Sequence, residues 1–163
     1  MKKIIFAAFF LFLFAAVKSQ EIQKIRITDL EKIIAESKEP LIINIWATWC
    51  GPCVEELPYF MEEWKEHKEK GLKLILVSVD FADAYPVKIE KFMARRKIKP
   101  PVMWLNETNA DYFCPKIDPR WSGAIPASLF INNETGYRSF YEGQMSHKQL
   151  KKEINIIMGK KDD

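Results

Sequence analysis

The sequence predicts an α/β domain whose central sheet is flanked by helices on both faces. Three observations carry that expectation. Short apolar runs rich in Ile, Leu and Val recur at residues 41–47 and 72–80, as in strands buried on two faces. Segments with apolar residues spaced three and four apart alternate with these runs. The chain then closes on a strand, a turn, a strand and a capped helix. At 163 residues, 48% of them hydrophobic, one such domain with its own core is the natural unit.

In chain order, the first nineteen residues stand apart. "MKK" is basic, residues 4–17 are an unbroken run of 14 apolar residues, and "VKS" sets small residues where a leader is cleaved. Residues 1–19 therefore read as a secretory signal peptide and residues 20–163 as the domain. The run falls short of the about 20 residues that span a bilayer, which ranks an uncleaved anchor second. Removing Lys2, Lys3 and Lys18 from the 25 basic residues leaves 22 against 22 acidic ones. A neutral domain without a basic patch gives no electrostatic case for nucleic acid or an anionic membrane as partner. Export to a periplasm or other extracytoplasmic space makes all three cysteines oxidisable.

"TDLE" at 28–31 has the form of a capping box ahead of Leu30, Ile33 and Ile34, so a first helix is expected there, ending near "SKEP". Pro40 opens the strand at 41–47. Residues 53–70 carry Leu57, Phe60, Met61 and Trp64 on one helical face, with Gly71 as the stop. The strand at 72–80 follows. A helix over 85–97 presents Val87, Ile89, Phe92 and Met93 before "KIKPP" breaks it, and "VMWL" is the next strand. Alternation of this kind implies right-handed crossovers and parallel strands. Residues 106–123 are polar, aromatic and turn-rich, and read as an irregular surface insertion. "ASLFI", "NNETG" and "YRSFYEG" form strand, turn and strand. Ser146 with Gln149 caps a last helix with Leu150, Ile154, Ile157 and Met158 inward.

The chemistry gathers in "WATWCGPC", residues 46–53, where Cys50 and Cys53 lie one helical turn apart at the start of a helix. A disulfide at that spacing closes almost no loop, so as a staple it contributes little. A zinc clip needs four ligands, yet His67 and His147 stand alone in the sequence and Cys114 has no neighbouring partner. A redox pair uses every feature. The helix N-terminus favours a thiolate at Cys50 and can bring its pKa to about 7, against about 8.5 for a free thiol. Cys53 can then attack the mixed disulfide that Cys50 forms. Pro52 sits in the first turn, where its missing N–H costs nothing.

"NIWATWCGPC" followed by "GAIPASLFI" resembles the thioredoxin superfamily, in particular its exported TlpA/ResA-like branch, over residues 25–159. The resemblance implies a thioredoxin-like fold with a mixed sheet. It also implies a cis bond before Pro126, in a loop that faces the thiols and pairs with an extended substrate segment. Trp49, Gly51, Pro52, Ile125 and Pro126 would then form the substrate-binding surface. Where cytoplasmic thioredoxin has a buried aspartate six residues before its first cysteine, this chain has Asn44, which takes no proton. Glu56, three residues after Cys53, matches the active-site glutamate of the ResA-like branch, and Pro58 should kink the helix beside it. Cys114 matches no catalytic position and reads as a free thiol, a reactive surface residue or an intermolecular bridge.

The resulting expectation is an exported thiol-disulfide oxidoreductase that reduces protein disulfides. Cys50 attacks, Cys53 resolves and Glu56 moves protons, with no metal or organic cofactor. Its partners would be protein thiols and disulfides and a membrane thiol donor, with cytochrome c biogenesis among the fitting contexts and a monomer as the working unit. Two alternatives stand beside it. A thioredoxin-fold copper chaperone would resemble C-x-x-x-C with a distant histidine, and a thiol peroxidase would resemble P-x-x-x-T-x-x-C.

Overall fold

A computed structural model describes residues 21–159. The expected signal peptide lies outside them. Six strands form one sheet in the order β1-β4-β3-β2-β5-β6. They are β1 (Gln23–Ile25), β2 (Leu41–Trp46), β3 (Lys73–Ser78), β4 (Val102–Leu105), β5 (Ala127–Asn132) and β6 (Tyr137–Glu142). The first four run parallel, β5 is antiparallel to β2, and β6 is antiparallel to β5, so the sheet is mixed. Five α-helices surround it: α1 (Ile27–Glu36), α2 (Gly51–His67), α3 (Val87–Arg96), α4 (Ala110–Ile117) and α5 (His147–Ile157).

Pleating divides the core into two layers. Ile42 and Trp46 of β2, Leu74 and Leu76 of β3 and Phe130 of β5 pack against Leu57 and Phe60 of α2, Ile89 and Phe92 of α3, and Leu150 and Ile154 of α5. Leu41, Ile43 and Ile45 point the other way, onto Leu30 and Ile34 of α1 and Phe113 and Ile117 of α4. The two-residue period along β2 therefore sets Asn44 on the face covered by α2. That placement matters, because Asn44 is a buried amide in an otherwise apolar strand.

The structure differs from the sequence reading at three elements. β1 was not expected; it has three residues of which one is buried, too short for a periodic signal, and is fixed by pairing with β4. The first helix starts at Ile27 rather than at a Thr28 cap, and Asp29 Oδ2 accepts the backbone N–H of Arg26 at 2.8 Å. The insertion is not irregular throughout, since 110–117 form α4 despite Pro115. Phe113, Cys114 and Ile117, spaced one and three apart, supply a buried face large enough to hold it on the sheet. The last helix begins as expected, with Ser146 Oγ accepting Gln149 N–H at 3.3 Å and Gln149 Oε1 accepting Ser146 N–H at 2.9 Å. Among the described residues no helix is long and apolar enough to cross a membrane.

Candidate active site at the start of α2

β2 ends at Trp46, and the loop 47–50 carries the chain from the C-terminal end of this interior strand into α2. A buried carboxylate fixes that loop. Asp80, just beyond β3, accepts Thr48 N–H at 3.0 and 3.1 Å on its two oxygens, Thr48 Oγ1 at 2.6 Å and Ser78 Oγ at 2.8 Å. Its backbone carbonyl accepts Trp104 Nε1 at 2.8 Å. With Asp80 only 4% exposed, the Asp80→Asn variant loses one acceptor oxygen and is expected to cost about 1–2 kcal/mol in stability, measurable by urea unfolding.

Cys50 is the N-cap of α2. Its Sγ accepts the backbone N–H of Cys53 at 3.3 Å, so an unpaired donor of the first turn points at this sulfur. Cys50 and Cys53 are joined as a disulfide, with Cα atoms 5.3 Å apart. Cys53 is fully buried and Cys50 is 6% exposed, so the first sulfur is the one that faces the surface. The Ile125–Pro126 peptide is cis, and the Ile125 carbonyl lies 3.8 Å from Cys50 Sγ. The second cis peptide, Tyr85–Pro86, had no sequence signal. Gly51 and Pro52 form the first turn of α2 and are exposed beside the disulfide.

Trp46 and Trp49 separate cleanly. Trp46 is core, whereas Trp49 is 58% exposed and stacks on Phe81, itself 71% exposed, with ring centroids 5.9 Å apart. Phe81 escaped the sequence reading because it lies 31 residues from Cys50 and no local pattern marks it. The cis-proline loop has its own anchor. Glu142 Oε1 accepts Ser122 N–H at 3.1 Å, Ala124 N–H at 3.0 Å and the Ser122 hydroxyl, while Trp121 Nε1 donates to the Ala124 carbonyl at 2.8 Å.

Three residues beyond Cys53 on α2 is Glu56, which is fully buried. Its Oε1 accepts Asn44 Nδ2 at 2.8 Å and its Oε2 accepts Met145 N–H at 2.7 Å. Desolvation dominates these two bonds and pushes the carboxyl up to about 7. Asn44 Nδ2 also donates to Ser128 Oγ at 3.0 Å, across the β2–β5 pair. Asn44 Oδ1 has no partner among the described residues. Exchanging the amide oxygen and nitrogen would give a protonated Glu56 an acceptor and let the Ser128 hydroxyl donate, so this trio can serve both carboxyl states. Ser128 was not singled out in the sequence, since only the strand register brings it to Asn44.

Cys114 is a free cysteine, 4% exposed, packed with Phe113 and Trp121 in the α1 and α4 layer. Burial, then the charges of Asp111 and Glu142, push its thiol up to about 11, so the reactive-surface reading is corrected to a packing role. The two histidines are not isolated in space. His147 Nε2 lies 2.7 Å from Glu63 Oε1, and His67 Nδ1 bonds the Glu63 carbonyl at 3.0 Å. The Glu63 carboxylate also has Lys151 Nζ at 3.5 Å, so a lysine and the His147 ring already meet it between α2 and α5.

Comparison with known proteins agrees with this geometry. The model of the AhpC/TSA family matches residues 13–136. Thiol-disulfide oxidoreductase ResA of Oceanobacillus iheyensis is 26% identical over 141 residues, covering 85% of this chain and 66% of that protein. ResA of Bacillus thuringiensis strain Al Hakam is 33% identical over 128 residues, covering 76% of this chain and 69% of its own. The chain thus spans about two thirds of the length of these relatives. Among solved structures, a thioredoxin-related protein from Neisseria meningitidis serogroup B superposes with a TM-score of 0.64 at 24% identity, over 76% of this chain and 88% of that one. StoA from Bacillus subtilis gives 0.55 at 25% identity, over 74% and 86%. With a family match over most of its length and ResA proteins among its relatives, the chain belongs to the AhpC/TSA family of the thioredoxin superfamily, on its ResA-like side.

Proposed function

We propose that the protein is a thiol-disulfide oxidoreductase that reduces protein disulfides outside the cytoplasm, with Cys50 as nucleophile and Cys53 as resolving thiol. The observation that carries this reading is the Cys50 sulfur at the N-cap of α2, taking the Cys53 N–H and bonded to Cys53 in a disulfide. In the reduced protein, the Cys50 thiolate attacks one sulfur of a substrate disulfide, and the substrate S–S bond breaks to release a thiolate. The Cys53 thiolate then attacks Cys50 in the mixed disulfide, and the second substrate thiol leaves. The substrate gains two electrons and two protons, and the pair closes as Cys50–Cys53. Glu56, buried and titrating near neutrality, is the group that accepts the Cys53 proton.

Trp49, Gly51, Pro52, Ile125 and Pro126 form the surface against which the substrate segment lies, with the Ile125 carbonyl near the attacking sulfur. The apolar run at 4–17 supports export or tethering, and an oxidising compartment then requires an electron source. A membrane thiol carrier is the fitting donor class. The ResA names of the relatives support the exchange chemistry. The peroxidase alternative wants a threonine three residues ahead of its cysteine; Ala47 stands there and offers no hydroxyl.

The direction of exchange gives a measurable expectation. The Gly51-Pro52 spacer holds no histidine to add to the helix terminus in stabilising the thiolate, so the reduced form gains less and the disulfide stays comparatively stable. Equilibration with glutathione buffers should give a potential nearer roughly −270 mV than about −120 mV. A value above about −180 mV would make the protein a disulfide donor and overturn the reductant reading. Trapping with Cys53→Ser, which freezes the mixed disulfide, identifies the substrates.

A further inference from the structure

The chain's 22 acidic and 25 basic residues hide a local imbalance. Between 88 and 99 there are six basic residues, Lys88, Lys91, Arg95, Arg96, Lys97 and Lys99, against one acid, Glu90. The expectation of a domain without a basic patch is therefore corrected by the fold. Lys88, Lys91 and Arg95 stand at i, i+3 and i+7 on one face of α3, where they share a groove of about 280 Å³ with Phe92 and Thr48. Lys88 is matched by Asp83 at 2.5 Å. Lys91 and Arg95 are exposed and pair with no carboxylate among the described residues.

Thr48 ties this groove to the redox site. It is two residues before Cys50, at most about 7 Å along the chain, and the residue between is Trp49, stacked on Phe81. A ligand segment that runs from Cys50 toward Thr48 would cross this exposed aromatic pair on its way to the groove of Lys91 and Arg95. An extended segment advances about 3.3 Å per residue, so on that path the side chains a few residues from its cysteine would lie at the groove. Arg95 also lines a second groove of about 340 Å³ beside Val54, Pro58 and Met61 of α2, so the positive strip follows the helix that Cys50 begins.

Resting on the oxidoreductase reading, we propose that the groove between Thr48 and α3 recognises acidic side chains flanking the cysteine of a protein disulfide substrate, with Lys91 and Arg95 as its specificity-determining residues. Exposed charge pairs of this kind act through encounter and KM more than through the chemical step, and are screened by salt.

The test uses three disulfide-bonded peptides of one length whose positions flanking the cysteine are Asp, Ser or Lys, reduced by the dithiol form of the protein. The Asp peptide should exceed the Lys peptide in kcat/KM by about tenfold at low salt, through KM, and the gap should close near 1 M salt, where the screening length is about 3 Å. The Lys91→Glu, Arg95→Glu double variant should reverse the preference. Lys148→Glu with Lys152→Glu on α5, the same change in net charge away from the groove, should keep it. Equal rates for the Asp and Lys peptides, or the same shift from both double variants, would overturn the proposal. So would flat peptide ratios with binding to phosphatidylglycerol vesicles that depends on Lys91 and Arg95, since the strip would then be a membrane contact. No turnover of any peptide, Ser included, would instead sink the oxidoreductase reading on which the proposal rests.

Discussion

Cys50→Ser is expected to reduce insulin-reduction activity to background, while Cys114→Ser leaves most of it. The two residues are buried to a similar extent and differ in what surrounds the sulfur. Cys50 caps a helix, receives the Cys53 N–H on its sulfur and lies 3.8 Å from the Ile125 carbonyl in the cis-proline loop. Of these, the helix N-terminus and the Cys53 N–H favour thiolate, and a serine hydroxyl in the same place stays protonated and is a poor nucleophile. Cys114 is buried among Phe113, Ile117 and Trp121, and its thiol is pushed up to about 11, so almost none is ionised at neutral pH. Removing its sulfur should cost some packing, with the loss read in stability rather than in rate. If the Cys114 variant is as inactive as the Cys50 variant, the site has been assigned to the wrong cysteine. Because Cys53→Ser keeps the attacking thiol, it should still form the mixed disulfide and accumulate it, which separates the two roles within the pair.

How far the site could be read from sequence depends on how local its parts are. Cys50, Cys53, Glu56 and the prolines are legible because one strand and one helix place them, and three-residue spacing puts Cys50, Cys53 and Glu56 on one helical face. Asp80, Phe81, Ser128 and Glu142 are not legible, because each acts through a contact made only by the sheet: Asp80 and Phe81 follow β3, Ser128 faces Asn44 across β2–β5, and Glu142 closes β6 against the loop before β5. An aspartate after a strand looks like any solvated turn residue until Thr48 is brought to it. The same logic explains β1 and α4. One needs a neighbouring strand to exist, and the other is a short apolar face interrupted by Pro115, whose stability comes from the sheet beneath it. The basic strip of α3 was visible as letters, but net charge averaged it away.

Glu56→Gln should change both the pH dependence of stability and the resolving step, and the first effect is the larger. The carboxyl titrates near 7 in the fold against 4.5 unperturbed, because burial outweighs the bonds from Met145 and Asn44. Between those two values the folded protein holds a proton that the unfolded chain has released. The stabilisation from this group is therefore fully present below about 4.5 and is lost as pH rises through about 7, at a total of roughly 3 kcal/mol for this fully buried side chain. Glutamine carries no charge to desolvate. Its carbonyl can still accept the Met145 N–H, and with the Asn44 amide turned over its amide can donate to Asn44 Oδ1, which then also accepts the Ser128 hydroxyl. The variant should thus match the parent near pH 4 and exceed it at pH 8 by up to roughly 3 kcal/mol, as read by urea unfolding of the oxidised protein. In exchange the sign reverses. Without a group that takes the Cys53 proton, resolution should slow, while the Cys53 thiol should titrate lower once the carboxylate that disfavours a neighbouring thiolate is gone, which thiol alkylation against pH would report. Equal stability slopes in parent and variant would mean that the carboxyl is solvated, and unchanged alkylation and rates would remove Glu56 from the proton path.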